Sequence, residues 1–242
     1  MAGFLCRTVL TAGLASVLAS VLASVMMGPV LASDAPGDVA QDTLEPRQVV
    51  IGLDLSKSNP LVTDEAYAAR LGQRLAREIE GLPLKARVIV RTFGVYDAGS
   101  NHLKIDEVIS ARAKPEQLAE GIGTLVANLP ALVAQGRLKS QMKTNIVPFL
   151  ETMSATIDCR AMPTKVILLT DGAEDSEYGK LTRRGGHLPV PAEALYRGCD
   201  ELVILGIGQG FNSPKTTKRF QTAWSGWADK AGFESFTGLY DW

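Results

Sequence analysis

The stretch Val49-Val50-Ile51-Gly52-Leu53-Asp54-Leu55-Ser56-Lys57-Ser58 decides the fold. Its first half continues an apolar run, Gln48 to Leu55, of the kind found in a strand buried on both faces. Its second half, Asp-x-Ser-x-Ser, begins where the chain leaves that strand. In extended chain, residues two apart point the same way. Asp54, Ser56 and Ser58 therefore send three oxygen-bearing side chains toward one spot. Taken alone, such residues after a strand also serve as helix caps and turn formers.

Working outward, strands and helices alternate. Glu65 to Glu80 carries Ala68, Leu71, Leu75 and Ile79 at helical spacing. Ala86 to Val95 is rich in β-branched residues, and Leu103 to Ile109 alternates as an antiparallel edge strand would. Pro115 to Gln135 is helical, with Pro115 suited to the first turn and Pro130 expected to kink or split the helix. Thr144 to Ile157 reads as another helix opened by Thr144. Lys165 to Thr170 and Glu201 to Ile207 are buried strands, Lys215 to Ala231 is helical, and Phe233 to Phe236 is a candidate last strand. This order predicts an α/β fold: a doubly wound, mostly parallel central sheet with helices on both faces, Rossmann-like, with one antiparallel edge strand. Ligands of such sheets bind outside the carboxyl ends of the strands, where strand order reverses. Asp54 and Asp171 both fall at predicted carboxyl ends.

Two more segments join the first. Thr144 opens the amphipathic stretch Thr144 to Leu150, and Asp171 lies in Val166-Ile167-Leu168-Leu169-Thr170-Asp171-Gly172. Asp54, Ser56, Ser58, Thr144 and Asp171 are all hard oxygen donors, suited to Mg²⁺ (or Mn²⁺) and not to a metal that prefers thiolate or imidazole. In this order they resemble the von Willebrand factor A (vWA) domain and its metal-ion-dependent adhesion site. The resemblance runs from about residue 47 to 237 and matches the family at all five ligand positions. It implies a vWA-like domain over 47–242 that binds a protein partner and performs no catalysis. The bound ion would accept an Asp or Glu side chain presented by that partner. A competing expectation is a metal-dependent phosphoryl hydrolase with Asp54 as nucleophile. Its usual Asp-x-Asp start is broken here by Ser56, which leaves the acid/base role unfilled. A third is a structural module whose metal site is vestigial.

Composition narrows the classes. A chain of 242 residues with 46% hydrophobic content builds one sizeable core. With 25 Lys and Arg against 26 Asp and Glu, it has no electrostatic footprint for nucleic acid. Its two histidines exclude a multi-histidine zinc site. Residues 1–32 read as a secretory signal peptide. Arg7 is followed by a thrice-repeated Leu-Ala-Ser-Val, then Pro29, then Val30-Leu31-Ala32 as a cleavage site. Thr8 to Met27 is also long enough to span a bilayer, so contact with a membrane is expected only if this segment stays uncleaved. Residues 33–46 are a polar linker. The expected location is periplasmic or secreted. After cleavage Cys159 and Cys199 remain, each just before an apolar run. Spacing leaves open a disulfide bond or two separate buried thiols.

Other features carry less. Gly206-Ile207-Gly208-Gln209-Gly210 lacks the third glycine of a dinucleotide fingerprint and reads as a tight turn. Glu174, Asp175 and Glu177 followed by Lys180, Arg183 and Arg184 read as a solvated surface whose basic part steers an acidic ligand. Trp224, Trp227, Phe233 and Phe236 are expected in the core.

Overall fold

The computed structural model describes residues 44–95 and 103–241. The expected signal peptide, most of the linker, and Trp242 lie outside them. Among the described residues, no helix is long and apolar enough to cross a membrane.

The first strand, β1 (Gln48–Asp54), is buried at all seven positions. It lies in the middle of a six-stranded sheet with β2 (Arg87–Phe93), β3 (Lys104–Val108), β4 (Thr164–Leu169), β5 (Glu201–Leu205) and β6 (Ser235–Leu239). The spatial order is β3-β2-β1-β4-β5-β6. Every pairing is parallel except β2 with β3. This is the doubly wound sheet with an antiparallel edge strand that the sequence predicts. The edge strand β3 is mostly exposed, and its charged residues discourage further strand pairing. Arg87 fixes it in register, donating Nε and Nη2 to the two carboxylate oxygens of Asp106 at 2.8 and 2.7 Å.

Alternation along β1 divides the core. Val49, Ile51 and Leu53 join the cluster under α1 (Glu65–Glu80) and α2 (Pro115–Ala127). Val50 joins the opposite cluster, with α4 (Ile146–Ser154) and α5 (Pro214–Ala231). Gly52 faces this second cluster. A Cβ there would stand 2.7 Å from both Leu168 Cδ2 and Phe149 Cε1, so the glycine is what lets Phe149 press on the sheet.

Helix boundaries follow local chemistry. Asp64 caps α1 by accepting the Tyr67 N–H at 2.9 Å. Pro115 occupies the first turn of α2, and Pro130 falls where the long helical region divides into α2 and α3 (Leu129–Ala134). Most strand and helix ends fall within one or two residues of expectation, and two differences have a clear physical reason. The last strand is Ser235–Leu239, not Phe233–Phe236, because Phe233 is drawn into the core and stacks on Tyr196 before pairing begins. Helix α4 starts at Ile146, with Asn145 at its cap position, so Thr144 lies before the helix and does not open it.

Trp224 and Trp227 are buried, as expected, and Tyr240 is exposed. Gly206, Gly208 and Gly210 all have positive φ and form the tight turn after β5. Cys159 and Cys199 form a disulfide with Cα atoms 4.9 Å apart, tying the approaches to neighbouring strands β4 and β5.

Candidate functional site

The strand order reverses between β1 and β4, which are adjacent and parallel while their chain connections run to opposite sides. Asp54 ends β1, and Asp171 follows β4 by two residues. Both carboxylates are fully buried at this switch point. Among the described residues neither forms an ion pair.

Each carboxylate is held by its own loop. Asp54 Oδ1 accepts the Ser56 N–H at 2.8 Å, and Oδ2 accepts the Thr170 hydroxyl at 2.7 Å. Asp171 Oδ1 accepts the Ala173 N–H at 2.8 Å. Its other oxygen, Oδ2, is buried and makes no hydrogen bond among the described residues. Burial pushes the Asp54 carboxyl above its usual range, and the charge of Asp171 adds to the push. The bonds from Thr170 and Ser56 act the other way. Burial likewise raises Asp171, opposed by the Ala173 N–H and the neighbouring Ser58 hydroxyl. The fold thus holds two carboxylates together, out of water, and among the described residues no side-chain cation pairs with them. Such an arrangement is costly unless a proton or a metal ion relieves it.

The hydroxyls are placed unequally. Ser56 is buried, Ser58 is exposed, and their Oγ atoms are 3.3 Å apart. Ser58 also adjoins Asp171, so the first loop reaches both carboxylates. Thr144 is buried and is brought to the rim by its backbone: the Asp175 N–H donates to the Thr144 carbonyl at 2.9 Å. The hydrogen bonds of Asp54 and Asp171 among the described residues do not include the Thr144 hydroxyl. Four of the five expected donors are therefore in one connected group, and the fifth is on the adjoining segment. Among the described residues, no three His, Cys, Asp or Glu side chains cluster as a metal site. A Mg²⁺ ion held here would have two carboxylates and would rely on hydroxyls and water for its remaining ligands, which is within the habits of that ion.

The loops are stitched to one another. Asn59 Nδ2 donates to the carbonyls of Asp54 and Leu169, at 3.1 Å each, which clamps the ends of β1 and β4 together. The Gln141 N–H donates to the Leu55 carbonyl and the Lys57 N–H to the Gln141 carbonyl, both at 2.8 Å. Glu174 Oε2 accepts the N–H groups of Ile146 and Val147 at 2.8 and 3.0 Å. It thereby caps α4, whose own cap residue Asn145 makes no side-chain capping bond. This corrects the reading of Glu174 as part of a solvated charge run: it is fully buried. Burial pushes its carboxyl up to about 7, against the pull of Ser176 and of the Val147 and Ile146 N–H groups, with Asp175 adding a small upward push. Tyr67 is a further neighbour. Burial, then the charge of Asp171, holds its phenol protonated.

No family model matches the chain, and no curated protein matches it. Among solved structures, the chain is similar to the pilus adhesin SpaC from Lactobacillus rhamnosus GG. That match has a TM-score of 0.49 and 16% identity, and covers 83% of this chain and 29% of the adhesin. It is also similar to an aerotolerance-related membrane protein from Bacteroides fragilis (TM-score 0.43, 16% identity, 80% of this chain and 91% of that one). BatB from Bacteroides thetaiotaomicron matches at TM-score 0.43 and 17% identity, over 81% of this chain and 91% of its own. The chain thus spans under a third of the adhesin.

The sequence assigns no site role to Thr170, Asn59 or Tyr67, and it places Glu174 on the surface. Thr170 and Asn59 each adjoin an expected ligand, and that adjacency was the available signal. Nothing in the local pattern marks Glu174 as buried, because its partners are 27 and 28 residues away.

Proposed function

We propose that this chain is an exported protein-binding module, not an enzyme, and that Asp54, Ser56, Ser58, Thr144 and Asp171 hold a Mg²⁺ (or Mn²⁺) ion. Bound there, the ion supplies an electrophilic centre that accepts an Asp or Glu carboxylate of a protein partner. The observation that carries this reading is the pair of buried carboxylates at the switch point, one with an orphaned oxygen and neither with a cation. Asp54 and Asp171 provide the charge, while Ser56 and Ser58 add two hydroxyls 3.3 Å apart, the first buried and the second exposed. Asp54 is poorly placed as a nucleophile. Both its oxygens already accept hydrogen bonds, and Ser56 stands where the second carboxylate of an Asp-x-Asp start would act as acid and base. The disulfide supports export, since such bonds persist in oxidising compartments.

The test is thermal unfolding of EDTA-stripped protein with and without Mg²⁺. An ion at about one hundred times its dissociation constant stabilises the fold by roughly 2.7 kcal/mol. For a domain of this size that raises Tm by about 5–10 °C. Asp171→Asn keeps the Ala173 bond and the shape but removes the charge, so its Tm is expected to ignore Mg²⁺. A wild-type Tm indifferent to both Mg²⁺ and Mn²⁺ would end the metal reading.

A further inference from the structure

The segment after Asp171 forms a hollow of about 390 Å³ with Lys143. Four cations line it, Lys143, Lys180, Arg183 and Arg184, against one carboxylate, Glu177. The chain as a whole is almost neutral, so the imbalance is local. Asp175 gathers the two lysines, with its Oδ1 at 2.6 Å from Lys180 Nζ and 3.8 Å from Lys143 Nζ. Arg183 and Arg184 are exposed and form no ion pair among the described residues. Two guanidinium groups without carboxylate partners are suited to bidentate bonds with carboxylates from outside.

The backbone links the segment that lines the hollow to the segment that carries Thr144. Lys143 adjoins Thr144, and Thr144 pairs through its backbone with Asp175. A second, smaller hollow of about 160 Å³ shares Lys143, Glu177 and Tyr178 with the first and adds the apolar side chains of Val95 and Pro148. Tyr178 stands between them, 70% exposed. The segment is internally braced. Ser176 Oγ accepts the N–H groups of Tyr178 and Gly179 at 3.2 Å each, and Arg219 Nη1 donates to the Arg183 carbonyl at 3.0 Å. A braced surface loses less conformational entropy on docking.

We propose that these two hollows form the docking surface for a stretch of a protein partner that alternates acidic and apolar residues, placed beside the carboxylate taken at the Asp54–Asp171 site. The proposal rests on the metal-site reading for that last placement only. Arg183, Arg184, Lys143 and Lys180 receive the acidic side chains, and the Val95–Pro148 seat receives an apolar one. Tyr178 covers the backbone between them. A free phosphate group shares the charge but makes no use of the apolar seat.

The test is fluorescence anisotropy with a short fluorescein-labelled peptide of alternating Asp and Leu, with a Lys-Leu peptide as control. The full chain is expected to bind the acidic peptide, more weakly at high salt, and to ignore the basic one. Arg183→Glu with Arg184→Glu is expected to weaken binding by about tenfold or more, the equivalent of roughly 1.4 kcal/mol. Arg183→Gln with Arg184→Gln gives a smaller loss in the same direction. Both pairs are at exposed positions, and an unchanged Tm verifies folding. Wild-type affinity in both double variants overturns the proposal. So does full displacement of the peptide by inorganic phosphate at matched concentration, which makes the hollow a free-anion site. EDTA and Asp171→Asn separate the two readings. If they leave peptide affinity unchanged while the arginine variants lose it, the docking surface stands and its placement beside a metal-bound carboxylate falls.

Discussion

Replacing Glu174 by Gln isolates one buried charge from the packing around it. The native carboxylate accepts two helix N–H groups through one oxygen, and a Gln carbonyl accepts the same two. Shape and capping are kept, and only ionisation is lost. The carboxyl titrates at about 7 in the fold against 4.5 when unperturbed. Its folded value is raised, so its contribution to stability is complete below pH 4.5 and is lost as pH climbs through 7. At roughly 1.36 kcal/mol per unit, that loss amounts to about 3 kcal/mol. The Gln variant does not titrate. Its stability relative to wild type is therefore expected to improve by about 3 kcal/mol between pH 4.5 and pH 8. In Tm this is roughly 6–12 °C for a domain of this size. Urea unfolding of both proteins across that range, in EDTA, measures it. Glu174→Ala provides the contrast, since it also loses the cap and is expected to be less stable at low pH by about 1–2 kcal/mol. A Gln-minus-wild-type difference that stays flat with pH would refute the reasoning, because the carboxylate would then be no harder to ionise in the fold than out of it.

Two further expectations concern the frame of the site. Trp224→Phe removes the indole N–H that donates to the Gly172 carbonyl at 2.8 Å, next to Asp171. A buried acceptor left unpaired costs about 1–3 kcal/mol, read as a lowered urea midpoint with little change in slope. Converting Cys159 and Cys199 together to Ala reopens a loop with a sequence separation of 40. The chain-entropy account sets the loss at about 4 kcal/mol, checked against the reduced wild-type protein, which should unfold at a similar urea concentration.

The sheet was legible because each buried strand is a short apolar run and each helix shows its own spacing. α1 begins and ends at Glu65 and Glu80 as its pattern predicts, with Asp64 as its cap. The exposed, alternating β3 was legible for the same reason: an edge strand has one partner and keeps its charges in water. Asp54 and Asp171 could be placed at strand ends from those patterns alone.

Order within the sheet, and what meets at its rim, are matters of distance along the chain that local patterns do not encode. Asp54 and Thr170 are 116 residues apart, yet one hydroxyl joins them. Thr144 has the sequence look of a helix cap, but a carboxylate from another loop, Glu174, provides the cap instead. Periodicity and residue type thus determine which segments become strands and helices, because those preferences act over a few neighbours. Only tertiary structure decides which polar side chains are cut off from water together. Burial depends on what the opposite loop brings, and burial is what pushes ordinary Asp and Glu carboxyls toward holding a proton or taking a cation.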